Sequence, residues 1–103
     1  MKAKITGLAT HVPAKVLRNS DLEKLVETTN EWILDRTGIE ERHIVEKGTA
    51  TSDLSAEAVK KLLAQKNLTP DDIDLLIVAT VTPDMFFPSS ACLLQSKIGA
   101  KNA

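Results

Sequence analysis

At 103 residues, 43% of them hydrophobic and 26% charged, the chain has the length of one domain at most and the composition of a packed protein rather than a disordered one. A chain this short buries only about two-thirds of its unfolded surface, so it needs a compact core or partners. Thirteen basic and fourteen acidic residues give a net charge of -1, and aromatics make up 3%; no basic excess or aromatic platform is available for nucleic acid.

The single cysteine, Cys92, allows neither an internal disulfide nor a cysteine-rich zinc site and fits a reducing, cytoplasmic setting. No stretch approaches the ~20 apolar residues of a membrane span. The first ten residues lack a long apolar run and read as a strand rather than a signal peptide.

In chain order, Ala3 to Ala9 is expected to be a first strand, with Gly7 allowing close backbone approach and Pro13 breaking the run. Ser20-Asp21-Leu22-Glu23 has the form of a capping box, followed by a short helix with Leu22, Leu25 and Val26 on one face. Thr28, Thr29 and Asn30 offer a second N-cap for a helix over Glu31 to Thr37, which Gly38 ends. Glu40 to Val45 is expected to be extended, and Lys47 to Ser52 a loop. Asp53 to Lys66 is the clearest helix: Leu54, Ala58 and Leu62 recur at i, i+4, with Ser52 as cap and Asn67 as stop. Thr69-Pro70-Asp71-Asp72 starts about one further turn. The unbroken apolar run Leu75 to Ala79 has the pattern of a strand buried on both faces in a helix-covered parallel sheet. Thr80 to Phe87 reads as a loop, and Pro88 to Ile98 as a helix stopped by Gly99. This order implies an α/β layered fold. Two or three strands make a thin sheet with unpaired edges, so the layers look unfinished.

Trp32 and Arg36 lie four apart on one short helix and share a face, with Thr28 before it and Thr37 at its end. An indole stacks on a nucleotide base, and a guanidinium forks onto phosphate. The competing reading, which spacing alone favours, is a core tryptophan covered by its arginine. Cys92, inside the last helix, reads as a buried small hydrophobe rather than a nucleophile. His11 and His43 have no second ligand at zinc spacing and read as structural or exposed. Helix capping explains Asp71 and Asp72, and a solvated turn explains Asp74; no metal site is indicated. Phe86 and Phe87 sit in a loop after a strand, where an apolar pocket, a subunit contact and simple packing are all open.

Asn30-Glu31-Trp32-Ile33, then Arg36-Thr37-Gly38-Ile39 and Glu41-Arg42-His43-Ile44, resemble the signature of β-ketoacyl-ACP synthase III enzymes. Ile5-Thr6-Gly7 with Val12-Pro13, Asn19 with Asp21-Leu22-Glu23, Val78-Ala79-Thr80, Thr82-Pro83-Asp84, Phe87-Pro88-Ser89, Ala91-Cys92 and Gln95 fit the same family. The likeness spans residues 1–103. It implies a thiolase-like layered fold, of which this chain is the first part of the N-terminal half, and a homodimer. It implies an acyltransferase initiating fatty-acid synthesis. A cysteine takes an acyl group from acyl-CoA, most often acetyl-CoA, and the acyl-enzyme condenses with malonyl-ACP with loss of carbon dioxide. Acyl-CoA is then a substrate, and no cofactor is expected.

The family's nucleophile lies in an Ala-Cys-x-Gly setting after the helix that holds Cys92. Its histidine and asparagine come later, so the chain is expected to stop before every catalytic group. Cys92 matches a non-catalytic cysteine, and His11 and His43 match neither catalytic position. By resemblance, Trp32 is the residue that stacks on the CoA adenine, reversing the preference that spacing gave. Arg36 lies near the CoA phosphates, and Thr37 and Thr28 are polar contacts beside them. Phe87 matches the phenylalanine that reaches into the partner subunit's acyl pocket. Two rivals stay open: a non-catalytic chain that docks on a full synthase subunit, and a relative that condenses other acyl groups or makes a quinolone or long-chain ketone.

Overall fold

Capping groups set most of the element boundaries in the computed structural model, which describes residues 2–103. The chain divides into two compact units, Val12–Lys47 and the residues up to His11 together with Gly48–Ala103.

The Val12–Lys47 unit is built on a two-stranded antiparallel sheet. Strand β1 (Lys15–Arg18) pairs with β2 (Glu41–Ile44) in the register Lys15 to Ile44 through Arg18 to Glu41. Two helices lie between them in sequence, α1 (Asn19–Leu22) and α2 (Asn30–Thr37). The α1 cap falls earlier than Ser20: the Asp21 carboxylate accepts the Arg18 N–H at 3.0 Å, so Arg18 is the N-cap residue. Helix α1 is a single turn. Leu25 and Val26 therefore fall beyond it and are exposed, instead of continuing an apolar face with Leu22. Helix α2 begins where a capping hydroxyl was expected: Thr29 Oγ1 accepts the Trp32 N–H at 3.1 Å. It ends at Gly38, whose φ of +67° is the left-handed conformation that favours glycine. Ile33 is buried.

The second unit packs α3 (Thr51–Lys66) against α4 (Ser90–Ile98). Its core is Ala56, Leu94, Ile98 and Ala100, with Val59, Ile73, Leu76, Val78 and Ala103 packed around them. Ser52 is not the cap of α3. Ala50 holds that position, with its N–H donated to Asp53 Oδ2 at 2.9 Å. Asn67 stops α3 at φ +53°. A single 3-10 turn, Pro70–Asp72, follows, and the Asp72 carboxylate accepts from the Thr69 N–H and hydroxyl at 2.8 Å each.

The expected strands at Ala3–Ala9 and Leu75–Ala79 do not form; the sheet among the described residues is β1–β2, antiparallel rather than parallel. A strand exists only through its ladder partner, and no described segment supplies one to either stretch. The run from Leu75 is also not covered twice. Leu76 and Val78 turn into the core, while Leu75 and Ile77 remain 72% and 82% exposed. The alternation is that of an extended segment with one face packed. Gly7 keeps its expected role. A methyl group there would lie 2.6 Å from Lys66 Cε and 2.8 Å from Leu62 Cδ1, so any larger residue would require both side chains to move.

Candidate functional site

Helix α2 carries the residues with the strongest claim to a ligand. Trp32 is 57% exposed, which removes the core-tryptophan reading. Its ring borders a cavity of about 310 Å3, lined by Glu27, Thr28, Thr29 and Trp32. Arg36 stands one turn on, with its guanidinium carbon 5.6 Å from the centre of the indole ring. That is within cation–π range, which fixes the guanidinium beside the ring rather than loose in solvent. The positions follow from local folding. Thr29 anchors the first turn, Trp32 comes three residues later at the helix start, and the i, i+4 spacing stacks Arg36 on the same face.

Thr28 thus shares the cavity with Trp32. Thr37 lies at the other end of α2, with its hydroxyl engaged within the helix end. It donates to the Ile33 carbonyl at 2.7 Å and accepts the Ile39 N–H at 3.1 Å. Glu27 and Thr29 joined the lining unforeseen; the only signal for them was their place beside the N-cap.

Phe87 belongs to the second unit, in the segment between Val78 and α4, where Phe86 and Phe87 are fully or almost fully exposed. This segment is held by a polar cluster that the sequence reading did not find. Asp84 Oδ2 accepts the hydroxyl of buried Ser52, and Asp84 Oδ1 accepts the Ser52 N–H at 2.9 Å and the Ser90 hydroxyl at 3.1 Å. Lys97 Nζ donates to Ser52 Oγ at 2.6 Å and to the Asp53 carboxylate. The Ser52 hydroxyl, together with the Ser52 N–H and Ser90, holds the Asp84 carboxyl below the usual carboxylate range. The Lys97 hydrogen bond and the Ala50 N–H do the same for Asp53.

Cys92 corrects its expected burial. Helix α4 starts at Ser90, so Cys92 is in the first turn and exposed, with its N–H donated to Ser89 Oγ at 3.3 Å. His43 Nδ1 lies 2.6 Å from the Pro13 carbonyl, and His11 Nδ1 lies 3.4 Å from Lys61 Nζ. Among the described residues, no group of three or more His, Cys, Asp or Glu is placed to hold a metal ion, and no helix is long and apolar enough to cross a membrane.

No family model matches the chain. Individual proteins do. The β-ketoacyl-[acyl-carrier-protein] synthase III of Koribacter versatilis is 58% identical over 102 residues, which is 99% of this chain and 31% of that protein. The 3-oxoacyl-[acyl-carrier-protein] synthase III of Aquifex aeolicus superposes with a TM-score of 0.87 at 45% identity, covering 94% of this chain and 31% of that one. The Thermus thermophilus β-ketoacyl-[acyl carrier protein] synthase III gives 0.88 at 41% identity, covering 96% and 31%. Over almost its whole length the chain is similar to proteins named β-ketoacyl-ACP synthase III. It spans about 31% of the length of its relatives, and its fold is the matching part of the thiolase-like synthase fold.

Proposed function

We propose that this chain contributes the acyl-CoA entrance and part of the dimer-facing acyl pocket to a cytoplasmic, homodimeric synthase that initiates fatty-acid synthesis. In that reaction a cysteine thiolate attacks the acyl-CoA thioester and releases CoA. The enzyme-bound acyl group then condenses with malonyl-ACP, which loses carbon dioxide, to give a β-ketoacyl-ACP. The nucleophile, the assisting histidine and asparagine, and the oxyanion donors belong to parts of the synthase outside these residues, and acetyl-CoA is the proposed donor.

The exposed indole of Trp32, with Arg36 against it, carries the reading. A half-exposed tryptophan over a cavity is costly to leave in water unless something covers it. An adenine does so by stacking, while a guanidinium held beside the ring meets phosphate. Thr28 lies in the same cavity, where its side chain can meet the nucleotide, and Thr37 would add a contact through its remaining lone pair. Phe87, projecting from the second unit, is assigned to the partner subunit's acyl pocket, which accounts for so large an apolar ring in solvent. Trp32→Ala in the full-length synthase is expected to raise KM for acetyl-CoA about tenfold, the size of one lost base-stacking contact, with malonyl-ACP kinetics nearly unchanged. Unchanged acetyl-CoA kinetics would remove the adenine-stacking assignment.

A further inference from the structure

Helix α2 has only eight residues, too few to be stable by itself, yet it has to hold Trp32 and Arg36 in a fixed attitude. Thr29 caps its start and the Glu23 carboxylate accepts the Asn30 N–H at 2.6 Å, and one buried side chain outside the helix reaches both of its ends. Asn19 is 2% exposed. Its Nδ2 donates to Asn30 Oδ1 and to the Ile39 carbonyl, both at 2.9 Å, and its Oδ1 accepts from Arg42 Nη1. Asn30 is the first residue of α2, and Ile39 follows the Gly38 that ends it. One amide therefore grips the helix at both ends and ties it to β2 through Arg42. The Asn19 backbone adds to the hold by donating its N–H to the Glu40 carbonyl at 3.2 Å.

The residue type is specific to the task. Two N–H bonds and a carbonyl oxygen on one planar group are what two acceptors and one arginine donor require. Aspartate would lack the donors, and leucine would take from the Ile39 carbonyl and the Arg42 guanidinium the partner that Asn19 supplies.

We infer that Asn19 is a positioning residue: its buried amide sets the attitude of α2 and so aims Trp32 and Arg36 at the nucleotide end of the acyl donor. This rests on the proposed role of Trp32. The consequence is selective. Loosening the tie displaces the nucleotide contacts and leaves the chemistry at the thioester alone.

The experiment compares two acyl donors on the full-length synthase: acetyl-CoA, and the acetyl thioester of N-acetylcysteamine, which has no nucleotide to reach Trp32. Asn19→Ala is expected to raise KM for acetyl-CoA about tenfold, within the range that small misplacements of a binding group produce, with kcat and the short thioester little changed. Asn30→Ala removes one strand of the tie from an exposed position, so folding is not at risk, and is expected to raise the same KM about threefold, the loss of a single ordinary hydrogen bond. An unchanged acetyl-CoA KM in folded Asn30→Ala overturns the inference, whether or not Asn19→Ala folds. Equal losses with both donors also overturn it, because they indicate a general structural role. Trp32→Ala run alongside separates the two ideas. If it shifts KM and Asn30→Ala does not, only the positioning role falls; if neither shifts it, the nucleotide reading falls first.

Discussion

The two units of the molecule bury their groups in opposite ways. In Val12–Lys47 the backbone and polar partners are in place, although Leu25, Val26 and Trp32 are exposed: β1 has β2, both ends of α2 are capped or tied, and Asn19 satisfies its whole amide internally. In the second unit the helices α3 and α4 are complete, but the apolar run from Leu75 packs through Leu76 and Val78 only, with Leu75, Ile77, Val81, Phe86 and Phe87 in solvent. The first region is finished by polar contacts within itself. The second leaves several large apolar side chains in solvent. A ligand site can be read from the first because its geometry closes locally, whereas the second leaves apolar side chains of its extended segment and loop in solvent.

The sharpest way to break this comparison is to truncate apolar residues on the two faces of the Leu75–Ala79 run. Leu94→Ala in the full-length synthase opens a cavity in the observed core and is expected to cost about 2–5 kcal/mol. Ile77→Ala is expected to cost a similar amount there, although Ile77 is exposed among these residues, if a further layer of the proposed synthase covers that face. Chemical denaturation measures both. A change below about 0.5 kcal/mol for Ile77→Ala, the ordinary range for surface substitutions, means that the face stays as open as it is here.

These contrasts also explain what could be seen in the sequence. Helices α2 and α3 and the stops at Gly38, Asn67 and Gly99 were legible because caps and apolar periodicity act within one or two turns. Strand β1 was not, since Lys15-Val16-Leu17-Arg18 is a strand only by virtue of Glu41–Ile44, more than twenty residues on. Ser20 and Ser52 were misread as caps for a related reason. Asp21 and Asp53 reach back to the N–H groups of Arg18 and Ala50, so the helices start earlier without a hydroxyl at the N-cap. Ser52 was read as a cap, and Asn19 stood out only within a stretch resembling the family, because their partners Asp84 and Arg42 are distant in sequence. At the candidate site, Trp32 and Arg36 were found by spacing, but spacing alone preferred the core reading; exposure decided between the two.

A smaller effect tests whether the second unit also relies on a polar tie. Asp84→Ala strands the hydroxyls of buried Ser52 and Ser90 and is expected to destabilise by about 1–3 kcal/mol, the cost of an unpaired buried polar group. The effect depends on pH in a defined direction. The native Asp84 carboxyl titrates below its ordinary range because Ser52 and Ser90 hydrogen-bond its charged form. The stabilisation is therefore complete above the unfolded value of about 3.9 and is lost as pH falls through the lower native one. Wild type and Asp84→Asn should converge in stability at the acid end; a difference that persists there unchanged would show that the carboxylate charge is not what matters.

The least change is expected at Cys92. It is exposed in the first turn of α4. A nucleophile needs a base within reach, and the hydrogen-bonding partner here is the hydroxyl of Ser89, which cannot take the thiol proton as an imidazole would. Family resemblance assigns the acyl-accepting cysteine elsewhere. Cys92→Ser in the full-length synthase should form the same single acetyl adduct from acetyl-CoA, seen by intact mass, at an undiminished rate. Loss of the adduct in a folded Cys92→Ser protein would move the nucleophile into this chain. The exposed apolar loop beside Cys92 would then border the reacting thioester, and the contrast between a self-contained ligand region and an open packing surface would no longer hold.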